Sequence, residues 1–471
     1  MFPGNCALLI NAVYSIQFLY PYIMKFSKVH LTVLLLVSLQ TAFCQTSAII
    51  SKEDFSFLEK MTRDVLDSSR VKPGQNMPAT FGKNNTGGTL VRPGGRDTYP
   101  AFWIRDYAMS LETGFVTTAE QKHMLLLTAS TQCDQTWITR GGSMVPFGAI
   151  ADHIRVNDKL PVYYPGTYDY LDQGKKEFGM FPPYDDQFYF IQMAYYYIKS
   201  TGDIKITNSD INQKKLIDRL ENAFCVQPSH AENDIVFTND AFRGVDFGFR
   251  DAVDITGDLC YASLLKYTAA IQLAELFEKL KNAQKAIRYR KIAANIKTAI
   301  PSIFRNKNGM LRASTGKSDQ EDVWATALAI HLKILEGTNA EKAASYLDRA
   351  YKTGTLAYKG SIRHVLTAED FSKTTSWESS LAGINTYQNG AYWGTPTGWV
   401  ANAIALVDMA SAHQLVKEYI TELRENDFRK GPQFNSPMEC FFTNGYSRGP
   451  VYLTTVSCPY IALKTIVLHN K

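Results

Sequence analysis

Long runs of one charge are missing from this sequence. Lysine and arginine total 50 against 45 aspartates and glutamates, a formal net charge of +5, and the basic residues cluster nowhere. That balance gives no electrostatic reason to expect a nucleic acid or an acidic membrane as partner. Cysteine is scarce: of 7 in 471 residues, only Cys133, Cys225, Cys260, Cys440 and Cys458 lie beyond residue 44, widely spaced and odd in number. Such spacing supports neither a disulfide framework nor a zinc-type cluster. No His-x-x-x-His, Cys-x-x-Cys, Gly-x-Ser-x-Gly or phosphate-cradling glycine loop occurs, so metallohydrolase, serine hydrolase and nucleotide-dependent chemistry all lose support. No metal or organic cofactor is expected. With 45% hydrophobic, 20% charged and 12% aromatic residues, disorder, collagen and coiled coil are excluded as well.

The amino-terminal segment has the parts of a secretory signal. From Met24, two lysines (Lys25, Lys28) precede an apolar stretch, which ends in Ala42-Phe43-Cys44 with small side chains at the −3 and −1 positions. The expectation is translation from Met24, cleavage after Cys44 and export to a bacterial periplasm or the medium. Phe43 stands where a lipoprotein would need a small residue before the cysteine, so lipidation fits less well. The apolar residues 7–24 could instead form a membrane anchor. Residues 1–44 are therefore read as removed and residues 45–471 as a single domain. Without Lys25 and Lys28, 48 basic residues face 45 acidic ones.

Amphipathic stretches recur along the rest of the chain. Between 258 and 280, Leu264, Leu265, Ala269, Leu273, Leu276, Phe277 and Leu280 fall at intervals of three or four, one apolar helical face. Ile287, Ile292, Ile296 and Ile300 make a second face, which Pro301 is expected to close. Further helices are expected near 52–69, 103–117, 119–134, 185–201, 210–225, 320–336, 339–353, 397–410, 411–425 and 452–469. Ser51 followed by Asp54 is a weak cap for the first. Short hairpins are expected in the 70–100, 136–184 and 226–257 loops, with no strand-rich block long enough to be a separate domain. The fold class is all-α: about twelve helices in six hairpins closing into an (α/α)6 toroid with long functional loops, because an open row would expose the end helices. An open solenoid is the alternative, but its turns repeat at a constant period and none is visible.

Four loops concentrate residues suited to chemistry. Arg96 leads into Trp103-Ile104-Arg105-Asp106, a stacking platform beside charged groups that can each hold two vicinal hydroxyls, or else a structural ion pair. Asp185 and Asp186 follow Pro182-Pro183 and could simply cap a helix. Asp246 to Asp254 contains Arg250 and Asp251 among Phe247, Phe249 and Val253, where a desolvated carboxyl would have the raised pKa that a general acid needs. Asp258 reads as a helix start. The last region pairs Trp393 and Trp399 with Asn435 to Phe442, in which Glu439 is the one carboxylate, either functional or partnered by Arg448. His153 and His364 sit in loop contexts, and Glu378 is a spare carboxylate.

In order along the chain these loops resemble the trehalase and glucoamylase-like six-hairpin glycosidases. Pro93-Gly94-Gly95-Arg96 is similar to the first trehalase signature, Trp103-Ile104-Arg105-Asp106 to the Trp-x-Arg-Asp of glucoamylase-type enzymes, and Pro182-Pro183 to the Gln-Pro-Pro of trehalases. The run from Trp393 to Trp399 looks like their Trp-Asp-x-Pro-Asn-Gly-Trp, with Gly394 in place of the aspartate that helps hold the sugar. The resemblance spans about 90–470, in loop fragments of medium specificity. It implies a glycoside hydrolase acting with inversion, for which the two carboxyls should stand about 6.5–9.5 Å apart. It implies Asp251 as the acid, Asp254 being second, and Glu439 as the base. Arg96, Trp103, Arg105, Asp106, Asp185, Asp186, Arg250, Trp393 and Trp399 are then the expected substrate-binding residues, with Trp103, Arg105, Asp106 and Trp399 gripping the sugar whose bond is cut. The expected partner is a carbohydrate, with no membrane after signal cleavage; oligomeric state is left open. Two rivals remain. A polysaccharide lyase would use Tyr184 or His364 (beside Arg363) as base, and a non-catalytic sugar-binding protein would use the carboxylates only as ligands for hydroxyls.

Overall fold

The computed structural model describes residues 48–77, 82–96, 98–176, 179–317, 320–366 and 377–469. The expected leader, its start at Met24, the cleavage after Cys44 and the anchor alternative lie outside the described residues. Within these, twelve α-helices occur: α1 Lys52–Ser69, α2 Ile104–Met109, α3 Thr118–Ser130, α4 Asp186–Thr201, α5 Leu216–Phe224, α6 Cys260–Lys279, α7 Ala283–Phe304, α8 Val323–His331, α9 Gly337–Lys352, α10 Thr397–Ile404, α11 Met409–Glu425 and α12 Thr454–His469. Each overlaps a stretch expected from periodicity. Ser51 caps α1 by accepting the Asp54 N–H, and Thr117 with Glu120 forms a reciprocal capping box on α3.

The helices sort by burial. Every residue of α2 is buried, as are Val323 to Ala329 of α8, whereas α1 and α9 bury one stripe. Among the even-numbered helices, α2 packs on α4, α4 on α6, α6 on α8, α8 on α10, α10 on α12, and α12 back on α2. The odd-numbered helices lie against them: α1 on α12, α3 and α5 on α4, α7 on α6, α9 and α11 on α10. The segment Ala48–Lys471 is one compact unit.

Two expectations need correction. Pro301 does not end α7, which continues to Phe304 because Ile300 and Phe304 are both fully buried and their packing outweighs the lost N–H bond. Asp258 does not start α6, whose cap residue is Leu259; it lies on a two-residue strand and takes a hydrogen bond from His230 at 2.6 Å. The short strands also join into larger sheets. Beside the three-stranded β1 Ala101–Trp103, β2 His153–Arg155 and β3 Pro161–Val162, a five-stranded antiparallel sheet runs in chain order through β4 Ala357–Tyr358, β5 Ser361–Arg363, β6 Tyr392–Trp393, β7 Met438–Phe441 and β8 Ser447–Pro450. Strands of two to four residues are too short to show an alternation, and all four residues of β7 are buried.

Arg250 ties a loop to the helices. Its guanidinium donates to Asp246 at 2.5 Å and to Asp322 at 2.6 Å, and Asp322 uses its other oxygen to cap α8 through the Ala325 N–H. All three side chains are almost fully buried, so removing the guanidinium would strand two carboxyls in a low-dielectric interior. Arg250→Ala should therefore lower unfolding stability by about 3–5 kcal/mol, measured by denaturant titration; a loss below 1 kcal/mol would mean that the loop is held by other contacts.

Candidate functional site

Where β1 meets α2, the chain turns from strand to helix at Trp103, and the residues that follow enter a cleft of about 510 Å³. Its walls include Tyr99, Trp103, Arg105, Asp106, Tyr168, Asp251, Leu381, Tyr387, Arg448 and Tyr452. Trp103 faces His153 across the β1–β2 pair, and the two rings stack at 4.5 Å. Tyr99 and Tyr168 meet Trp103 edge-on. The cleft is thus walled by aromatic surface with a few carboxyls at its base, a composition that suits an uncharged, faceted ligand.

Behind that surface lies Arg105. Its guanidinium is 4% exposed and donates to Asp152 at 2.6 Å, Asp185 at 2.9 Å and Asp186 at 3.0 Å. Asp152 also holds His153 at 2.6 Å. Burial alone would raise the Asp152 carboxyl, but Arg105 and His153 hold it below the ordinary aspartate value. Asp186 is the opposite case: burial, with Asp185, Asp152 and Asp106 against the single Arg105, pushes it well above that value. Next along α2, Asp106 accepts the Tyr452 hydroxyl at 2.8 Å and is pushed up to about 7, chiefly by burial, with Arg105 and Tyr452 opposing and Glu439 and Asp152 reinforcing.

Asp251 lines the cleft at the end of the short turn Gly248–Arg250. Gly248 donates its N–H to Asp185 at 3.0 Å and lies so close to Arg105 that a Cβ there would meet Nε at 1.9 Å, so only glycine fits. From the other side, Gln388 accepts the Ala252 N–H at 2.6 Å and donates to the Gly248 carbonyl at 3.1 Å. The turn is pinned from both directions. Burial first, and then the charges of Asp152 and Glu439, push the Asp251 carboxyl up to about 7 against the pull of Arg105 and Gln388. Asp254 points elsewhere: it pairs with Arg243 at 3.3 Å and accepts the Ser379 hydroxyl, outside the cleft lining.

Glu439 sits on β7, 1% exposed, behind Tyr99, Tyr387 and Arg448 of the cleft wall. Room for it is made by Gly449 on β8, where a Cβ would lie 2.4 Å from Oε2. Burial raises its pKa above the ordinary glutamate value, while Arg448 and the phenols of Tyr99 and Tyr387 pull it down. Arg448 approaches only to 3.8 Å and lies over the Tyr387 ring at 4.3 Å, so the two do not form a tight salt bridge. Oε2 has no hydrogen-bond partner among the described residues. Tyr387 feels the charge of both Glu439 and Asp251.

Of the expected substrate-binding residues, Trp103, Arg105 and Asp106 line the cleft and the rest do not. Arg96 binds the Phe434 carbonyl at 2.8 Å and Asn435 Oδ1 at 3.0 Å, fastening the loop that leads to β7. Asp185 and Asp186 neither cap α4 nor reach the cleft lining; they serve Arg105. Arg250 is the loop anchor described above. Trp393 is fully buried against Phe249, Trp324 and Tyr387. Trp399 lines a separate cavity of about 110 Å³ with Tyr261, His331 and Cys458. Gly394 has no room for the aspartate of the resembled signature, since a Cβ would stand 2.5 Å from Thr455 Cγ2. Glu378 ties a loop by accepting from Thr256 and Lys317. Sequence reading missed Tyr99, Asp152, Tyr168, Tyr387, Gln388 and Tyr452. Among 26 tyrosines no single one stands out, whereas Asp152 beside His153 was the readable signal. Among the described residues, no group of three or more His, Cys, Asp or Glu is arranged to hold a metal ion.

No protein-family model matches this sequence, and no curated protein matches it. Solved structures do. A rhamnosidase from Klebsiella oxytoca with rhamnose bound aligns over 88% of this chain and 64% of its own, at 13% identity and a TM-score of 0.50. A GH78 family rhamnosidase from a Bacillus species aligns over 88% and 35%, at 8% identity and a TM-score of 0.53. The glucoamylase of Saccharomycopsis fibuligera aligns over 91% and 97%, at 12% identity and a TM-score of 0.50. The fold is that of the six-hairpin glycosidases. The chain spans less than two thirds of either rhamnosidase and nearly all of the glucoamylase.

Because Arg448 is the main charge that pulls Glu439 down, Arg448→Ala should move the Glu439 titration to higher pH. Carbon-13 NMR of the labelled side-chain carboxyl reads this directly; an unchanged midpoint would show that the pair does not interact.

Proposed function

We propose that the chain is a glycoside hydrolase built on an (α/α)6 toroid, exported through the leader read from Met24, and folded over residues 45–471 as one domain. The circuit of contacts through the six even-numbered helices supports the toroid. The likeness in fold to two rhamnosidases and a glucoamylase supports a carbohydrate substrate. One observation carries the reaction class: Asp251 lines an aromatic-walled cleft with its carboxyl pushed up to about 7, and Glu439 lies behind the same wall, close enough for its charge to contribute to that rise.

In this reading Asp251, partly protonated at neutral pH, gives its proton to the glycosidic oxygen as the bond to the anomeric carbon breaks. Glu439 takes a proton from water, and the hydroxide so formed attacks the opposite face of the sugar, with inversion. Trp103 supplies a stacking face, and Asp106 with the free Nη1 edge of Arg105 supplies hydrogen bonds to hydroxyls.

The rivals fit less well. A lyase needs a base at the cleft, but Tyr184 spends its hydroxyl on the Phe242 carbonyl at 2.7 Å, and His364 is buried and stacked on Trp324 at 4.1 Å. Neither lines the cleft. A protein that only bound sugars would bind a glycoside without releasing a sugar from it.

Asp251→Asn and Glu439→Gln should each reduce turnover by about two to four orders of magnitude with the fold intact by circular dichroism. Near-normal turnover in either would remove that residue from its role. In the wild type, kcat/KM should fall as pH rises through about 7, where Asp251 loses its proton. It should also fall on the acid side, where Glu439 gains one at a value above that of an ordinary glutamate. A profile flat from pH 5 to 9 would contradict both assignments.

A further inference from the structure

Resting on the hydrolase reading, the surface beside the acid indicates what leaves. A general acid protonates the departing oxygen, so the leaving group must lie against the residues next to Asp251. Ala252 lines the cleft there, and its carbonyl accepts the Leu381 N–H at 2.8 Å. Leu381 also lines the cleft, yet its side chain is 60% exposed; Ala382 continues the wall and Ile384, on the same loop, is 55% exposed. Across the cleft mouth the loop touches the β7–β8 turn through Asn385 and Thr443, and that turn carries Phe442 in the lining and Tyr446, 61% exposed.

Large aliphatic side chains held open to water beside a cleft cost apolar hydration, and a second sugar does not recover it. Sugars are gripped by hydrogen bonds and by flat aromatic faces, as at Trp103. Leu381 and Ile384 offer neither. Leu381 and Ala382 offer an apolar seat, continuous with the acid through Ala252, and Ile384 lies on the same loop outside the lining.

We infer that Leu381 and Ala382, at the start of the loop 381–387, seat an apolar leaving group, so that the substrate is a glycoside of an aromatic or aliphatic alcohol and not an internal bond of a polysaccharide. The sugar occupies the Trp103, Arg105 and Asp106 end. The alcohol lies over Ala252, Leu381 and Ala382, with Phe442 on the far side.

The test uses an apolar alcohol carrying no sugar, 4-methylumbelliferone, with binding to the mature protein followed by saturation-transfer NMR. Saturable binding to the wild type is expected, weakened roughly tenfold by Leu381→Asp, since one apolar contact in such a seat is worth about that much. Ile287→Asp, equally exposed on α7 at 69%, should bind like the wild type. No saturable binding, equal binding by Leu381→Asp, or equal weakening by Ile287→Asp would overturn the proposal. Because Leu381 is largely exposed, its substitution leaves the core untouched, and circular dichroism verifies this. Turnover does not enter the assay. Umbelliferone bound at Leu381 by a protein that cleaves no glycoside keeps the apolar seat and removes the reaction; glycoside cleavage without umbelliferone binding keeps the reaction and removes the seat.

Discussion

One buried guanidinium organises this site. Arg105 gathers Asp152, Asp185 and Asp186 from segments 47 to 81 residues away. A single buried cation cannot neutralise three carboxylates, and burying unpaired charge is costly. The imbalance is relieved by protonation: Asp186 is driven well above its ordinary value, while Asp152, sharing His153, stays ionised. The same cluster positions the proposed acid. Asp185 holds Gly248, Arg105 fills the space where any side chain on Gly248 would go, and Asp251 stands three residues on, feeling the Asp152 charge.

The proposed acid and base are supported by different parts of the fold. Asp251 belongs to a turn pinned by Arg250 to the cap of α8 and by Gln388 to the loop before β6. Glu439 belongs to the five-stranded sheet, in a space left by Gly449. The two carboxyls are thus held from two sides of the fold, each by its own set of contacts.

The helices were legible because each buries a stripe or a whole face, and periodicity reports burial. The five-stranded sheet was not, since its strands are short and β7 is buried throughout. At the site, Trp103, Arg105, Asp106, Asp251 and Glu439 could be singled out as charged or aromatic residues in unusual loops, and Asp251 could be preferred to Asp254 only weakly. The distinction between them is spatial: Asp254 has Arg243 beside it and Asp251 has the cleft. Arg96, Arg250, Asp185, Asp186 and Trp393 look equally functional in sequence, yet they act one layer back, holding the loops that carry the acid and base. A sequence marks where polar groups are concentrated. Which of two layers a group occupies is decided by chain segments far apart.

The central claim is that Asp251 and Glu439 cleave a glycosidic bond with inversion. Proton NMR of the mature protein with a panel of glycosides, following the anomeric signals from the first minutes, tests it most directly. The account predicts a released sugar that first appears in the anomeric form opposite to that of the cleaved bond. Release in the same form would contradict inversion, and a new unsaturated product in place of a free sugar would contradict hydrolysis altogether.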